Sequence, residues 1–329
     1  MTEDGVRKVK YDYAQNGKLA HQKVDGIVDI NYEYDKFGHL TGKYIGEIQN
    51  PIAYLKYSYS KDGELIGRNV NGKQENFQYD AIGQLVSVND ASGKALEHYS
   101  YDRAGNILEK TIDGKTTKFT YDSANQLVSE ILPDGTKKDF AYDAAGRMVS
   151  ELNGKDSKNY SYGWLDKVMQ VSSSAGEATK FAYSIDGQVA SRTAAGKAED
   201  FVWDGLALIR RGDTTYMTED HPNGGNALVA ENADGKNSVL FNDMLGSSMG
   251  SFGNDKFNAI DRTSFGETKG EVDDNVDFFT GKPQVAGLGH AFLFRNYRSD
   301  LGKWQTQDPI ALVNAMSLLN GRGIESMKT

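Results

Sequence analysis

Along most of the chain, short stretches of alternating apolar and polar residues are broken every ten residues or so by turn-forming clusters. Thr117 to Tyr121 is typical: about six residues with side chains alternating between two faces, which is the period of a β-strand. The break after it follows a fixed scheme. A Tyr-Asp pair leads to Gly and then to a Leu-like residue, as in Tyr34-Asp35-Lys36-Phe37-Gly38-His39-Leu40, Tyr79-Asp80-Ala81-Ile82-Gly83-Gln84-Leu85 and Tyr101-Asp102-Arg103-Ala104-Gly105-Asn106-Ile107. The scheme returns at Tyr121-Asp122 through Asn125 and Leu127, and at Tyr142-Asp143 through Gly146 and Met148; weaker copies start at Tyr11, Tyr59, Tyr162, Tyr183 and Trp203. From Tyr11 to Trp203 is 192 residues in nine steps, about 21 per step.

Each part of the unit has a local reason. Asp35-Lys36-Phe37-Gly38 suits a type I turn, with Asp first to bind the turn backbone and Gly fourth, where φ is positive. Asn125 takes the glycine place once, as the residue that next best tolerates that conformation. Half a unit later comes Asn71-Gly72, Asp113-Gly114, Asp134-Gly135 or Asn153-Gly154, dipeptides suited to two-residue hairpin loops. Each unit therefore reads as a β-hairpin.

From Tyr34 on, an aromatic also sits two residues before the Tyr or Trp: Tyr32, Tyr57, Phe77, Tyr99, Phe119, Phe140, Tyr160, Phe181 and Phe201. Residues i and i+2 share a strand face, so stacked hairpins should carry two aromatic columns on one side. Roughly eighteen strands at about 4.8 Å each make a sheet too wide to stay flat, and right-handed twist should curl it into a spiral or barrel-like wall. The expected fold is all-β: a wall of stacked hairpins over residues 1–203, a small irregular module over 204–310, and a tail over 311–329. In that tail Asp308 can cap a short helix, Pro309 suits its first position and Gly321 can end it. Ile310, Leu312, Val313, Met316, Leu318 and Leu319 leave it apolar nearly all round, so it needs burial.

Composition narrows the possibilities. The 329 residues (36.2 kDa) include 36 Gly, 18 Tyr and 14 Phe but only 5 Pro, which suits many short strands and tight turns. A formal charge of −9 argues against nucleic acid as partner, since phosphate contacts need a basic face. No run of 18 apolar residues exists, so no membrane span is expected, and Met1-Thr2-Glu3-Asp4-Gly5 does not open a signal peptide. Zero cysteines excludes disulfides and thiol chemistry.

Other candidate chemistry has simpler explanations. Gly246-Ser247-Ser248-Met249-Gly250 fits G-x-S-x-G, with Asp273 or Asp274 and His290 following in hydrolase order. No helical period follows, however, so a small-residue hairpin turn is expected. The repeat aspartates Asp80, Asp102 and Asp143 have turn roles that account for them without glycosidase chemistry. Glu271 to Asp277 is acidic but lacks the EF-hand glycine and closing glutamate. His21, His39, His98, His221 and His290 are scattered, so no metal or cofactor is expected; His221 sits in a loop, and Arg211-Gly212-Asp213 reads as a plain turn.

The units resemble YD repeats of the Rhs family, and the stretch after Trp203 resembles the Rhs-associated core. Trp203-Asp204-Gly205-Leu206, Asp243-Met244-Leu245-Gly246-Ser247 and Phe265-Gly266-Glu267 are similar to its opening landmarks. Phe279-Thr280-Gly281-Lys282-Pro283, Arg295-Asn296-Tyr297, Gly302-Lys303-Trp304 and Asp308-Pro309 are similar to its close. The resemblance spans roughly residues 8 to 310. It implies a hollow β-shell, or a fragment of one, that encloses or presents a polypeptide cargo such as a toxin or meets a neighbouring repeat region, a secreted or cell-surface setting, and a self-cleaving aspartyl protease in the core. This chain has Asn296 after Arg295 where the family pattern has Asp, with Asp308 at the second place and Ala311 where Gly is usual. An Asn cannot share a proton as a carboxylate dyad requires, so no catalytic site is expected. The alternatives are a carbohydrate-binding surface module, whose aromatic columns would face solvent, and a residual protease.

Overall fold

The computed structural model describes residues 2–3, 7–24, 26–219 and 225–308. The expected terminal helix and His221 lie outside them. Among the described residues, twenty-six strands, from Thr2–Glu3 to Lys256–Ala259, form one antiparallel sheet, each paired with the strand before it and the one after. The sheet does not close on itself, and it crosses residue 203 without a break. A second, five-stranded sheet of very short strands runs from Phe278–Phe279 to Lys303–Trp304 within the irregular segment 260–308. One 3-10 turn, Trp164–Asp166, is the only helical element among the described residues.

The turns follow the sequence logic closely. At Asp80, one carboxylate oxygen accepts the N–H groups of Ile82 (3.0 Å) and Gln84 (2.9 Å), while Gly83 N–H donates to the Asp80 carbonyl. Gly83 has φ +84°, and Asn125 has φ +59° at the equivalent place. Asp102, Asp122, Asp143 and Asp243 bind their own turns identically, so Asp243-Met244-Leu245-Gly246 is a further copy of the same device.

Three local expectations need correction. In the first unit the turn follows Tyr13, with Ala14 in the Asp place and Gly17 closing, so Tyr11 is the preceding aromatic and not the Tyr of the pair. At Asp134-Gly135 the loop is five residues long, because Ile131 pairs with Lys137; Pro133 fixes a type I turn there that two residues could not close. Asn153 pairs with Asp156, which puts Gly154-Lys155 in the loop rather than Asn153-Gly154. At Asn71-Gly72 and Asp113-Gly114 both central residues have positive φ, as type I′ loops require.

Each unit also carries a β-bulge that the sequence reading did not foresee. The register slips at the repeat tyrosine: Ser100 pairs with Glu109 but Tyr101 with Ile107, and the same slip recurs at Tyr34, Tyr59, Tyr79, Tyr121, Tyr142, Tyr162 and Tyr183. A bulge raises local twist, so one per unit bends the ribbon at regular intervals.

The curl brings two clusters together. Tyr57, Phe77, Tyr99, Phe119, Phe140, Tyr160, Phe181 and Phe201 are all buried, on the inner face. From Tyr99 to Phe201 they pack with Phe278, Val285, Leu288 and Leu301 of the irregular segment. Ile30, Ile45, Leu55 and Tyr57 instead meet Leu228, Val239, Phe241 and Phe252 from the far end of the sheet. The ribbon's beginning therefore faces its end, and the segment 260–308 fills the concave side between.

Candidate functional site: the inner wall and its plug

The repeat tyrosines lie half-buried against the same clusters. Five of their hydroxyls tie one unit to the one before. Tyr59 donates to the Leu40 carbonyl (2.7 Å), Tyr79 to Leu65 (2.8 Å), Tyr101 to Leu85 (2.6 Å), Tyr162 to Met148 (2.6 Å) and Tyr183 to Val168 (2.8 Å). In each case the acceptor lies two residues after the positive-φ residue that closes the previous turn, which is Gly except for Asp166 before Val168. Trp203 repeats the contact through its indole N–H to Val189 (2.7 Å).

Inner-face positions on several strands are charged rather than apolar, and these reach the segment 260–308, the plug of the concave side. Glu97 accepts the Ser264 N–H at 3.1 and 3.2 Å. Lys110 donates to Glu267 (2.9 Å) and to the Asp300 carbonyl. Lys167 donates to the Leu293 carbonyl, Arg192 to Ala286 (3.0 Å) and Tyr216 to Asn275 (3.0 Å). Arg211 donates to the carbonyls of Asp274 (2.7 Å) and Gln284 (2.8 Å) while held by Glu199. Most of these contacts are to plug backbone.

At the centre, Arg298 from the plug binds Glu151 of the wall and forks onto Asp300 at 2.8 and 2.6 Å; Tyr160 also donates to Glu151. Burial works to raise the Glu151 carboxyl, but the Arg298 charge and these hydrogen bonds outweigh it and hold it below its usual range. At Glu97 burial wins, and the carboxyl is raised despite bonds from Tyr99 and Ser264. Burial lowers the Lys167 amine to about 8. A polar cavity of about 410 Å³ remains between wall and plug, bordered by Tyr160, Thr179, Gln284, Arg298 and Asp300.

The residues weighed for catalysis are placed as follows. Arg295 binds Asp308 at 2.8 Å and lies over the Trp304 ring, 4.2 Å from its centroid. Asn296 is buried, its side chain hydrogen-bonded to Tyr183. The Ser248 hydroxyl donates to the Val276 carbonyl (2.7 Å) and accepts the Phe278 N–H (2.9 Å), so it braces the plug. Gly246 closes a turn and Ser248 opens the strand Ser248–Gly253, which corrects the expectation of a turn throughout. Asp274 pairs with Arg211 and Asp277 with Arg262, so these acids are already neutralised. His290 is buried, with Nδ1 3.3 Å from the Lys282 carbonyl, and burial lowers it to about 4. Arg211 points inward from its tripeptide, so its side chain is not displayed at the surface. Among the described residues no cluster of His, Asp and Glu could hold a metal, and no helix is long and apolar enough to cross a membrane.

The sequence reading missed the inner-face charges as a set. The available signal was Glu75 and Glu97, each two residues before a column aromatic and so on its face.

Residues 76–153 match the Teneurin YD-shell family model. No curated protein matches the chain. Among solved structures, the TcdB2-TccC3 crystal structure is 15% identical over 94% of this chain and 21% of that one, with a TM-score of 0.48. The Photorhabdus luminescens Tc holotoxin pore is 14% identical over 92% of this chain and 20% of that one, with a TM-score of 0.46. The chain thus spans about a fifth of the length of those chains. The turn and the bulge recur unit after unit along the sheet, and over residues 76–153 the chain is similar in sequence to the YD-shell family.

Proposed function

We propose that the chain is a structural, non-catalytic shell element that encloses a polypeptide on its concave side. In this reading residues 1–203 serve as the wall and 204–310 as the module that carries the plug. The observation that carries it is the chemistry of the inner face. Glu97, Lys110, Lys167, Arg192 and Arg211 grip main-chain N–H and C=O groups, which every polypeptide presents whatever its sequence. Burial of the aromatic columns supports enclosure over display of rings to solvent.

The test is protease protection. A reporter polypeptide fused after Thr329 should be digested about tenfold more slowly than the free reporter. Equal digestion rates would sink the reading. With Asn296 in place of an acid, the chain should also keep its 36.2 kDa mass through long incubation between pH 4 and 8.

A second reading, a carbohydrate-binding surface module, is favoured by one feature. A groove of about 530 Å³ beside the turns at Asp35 and Ser60 is lined by Asp35, Phe37, His39, Tyr59 and Lys61, with the His39 and Tyr59 rings 4.8 Å apart. Rings beside a carboxylate suit a sugar. A glycan array separates the two: binding lost in Phe37→Ala supports this groove, and no binding removes it.

A further inference from the structure

Phe278, Val285, Leu288 and Leu301 of the plug are buried, but one apolar cluster beside Arg295 is not. Leu206, Phe292, Leu293, Phe294 and Trp304 line an apolar groove of about 410 Å³, and within it Phe294 is 62% and Leu206 38% exposed. Arg295 and Asp308 form its polar wall. The Arg295 guanidinium lies over Trp304 and binds Asp308, which holds the backbone at Asp308 against the groove. The next residues are Pro309-Ile310-Ala311-Leu312-Val313-Asn314-Ala315-Met316-Ser317-Leu318-Leu319, the most apolar run in the sequence.

We propose that this groove is the docking site of the chain's own segment 310–319. Continuity carries the assignment. The segment leaves from a residue that lines the groove, so its local concentration there is on the order of millimolar without any linker to order. Its length also fits: ten residues span about 15 Å as a helix and reach about 33 Å when extended. Its chemistry matches as well, since Leu312, Met316 and Leu319 offer apolar side chains at helical spacing to a surface of aromatic and leucine side chains. Once docked, the segment covers the Arg295–Asp308 pair and excludes other polypeptides from that face.

Hydrogen exchange by mass spectrometry on the full chain tests this from the segment's side. In a Leu312→Ser, Met316→Ser, Leu319→Ser variant, amides over 292–304 should exchange about fivefold faster than in the parent, while those over 95–142 stay the same. Equal exchange over 292–304 overturns the proposal. The groove's side is tested by Phe294→Ser, an exposed position whose change leaves the buried clusters intact. Chymotryptic cleavage within 310–319 should then speed up about fivefold, and an unchanged rate again overturns it. Both measurements are repeated over a hundredfold dilution. Protection that fades with dilution assigns the groove to a second copy of the chain, and docking within one chain is then wrong.

Discussion

Where an aspartate heads a turn, one of its oxygens ties down two backbone N–H groups, and a residue with positive φ closes the turn three positions later. Gly83 has nothing within 4 Å of where a Cβ would stand, so Gly83→Ala isolates the backbone term. It should cost about 1 kcal/mol in urea unfolding, while Gly83→Asn should cost less. The tyrosine hydroxyls make a comparable contribution. Tyr183→Phe removes the bond to the Val168 carbonyl and should lower stability by about 1 kcal/mol without changing the urea m-value. His290 gives a pH signature. Its folded value, about 4, lies below the ordinary 6.5, so the unfolded chain takes up the proton first. Stability from this group is therefore full above pH 6.5 and falls as pH drops toward 4; in His290→Asn that part of the pH dependence should disappear from thermal unfolding curves.

The hairpin is the element that repeats, and it is joined to its neighbour by the ladder, by the ring columns and, at Tyr59, Tyr79, Tyr101, Tyr162 and Tyr183, by the tyrosine-to-carbonyl contact. The bulge at each Tyr shifts the pairing so that Ile107 and Lys110, three apart, are both buried. That shift lets one strand give an apolar residue to the ring column and a charge to the plug. Arg298 shows what these charges do. Arg298→Met strands two carboxylates and should cost about 3–5 kcal/mol, whereas Arg298→Met with Glu151→Met should cost clearly less; chemical denaturation of the two variants checks this. Column aromatics, turn aspartates and most loops were legible in the primary pattern, because each answers to its nearest few neighbours. The bulges were not, since a one-residue slip leaves the residue types unchanged. The loop at Pro133 was missed because the dipeptide after it looks like a shorter turn.

At the scale of the molecule, the wall is held curled by contacts that join distant stretches. Arg68 and Glu75 of the early wall form a buried pair, with Asp243 3.7 Å from Arg68, and Lys43 reaches the Asn242 carbonyl at 3.0 Å. The plug does the same on the other cluster. Phe278 and Leu288 are almost fully buried against the rings of the wall. Leu288→Asp should detach the plug, bare the columns and raise binding of a hydrophobic dye, with a larger radius in small-angle scattering; an unchanged radius would mean the wall holds its curl unaided.

The unit, its turns and the shared face of its rings were set by the sequence, since each depends on residues within about twenty positions and on the two-residue period of a strand. What the aromatic face meets was decided only in three dimensions. Whether Glu97 or Lys110 points into water or onto a backbone depends on a segment more than 150 residues away. That segment is brought there by twist accumulated over the whole ribbon, a quantity no local stretch contains.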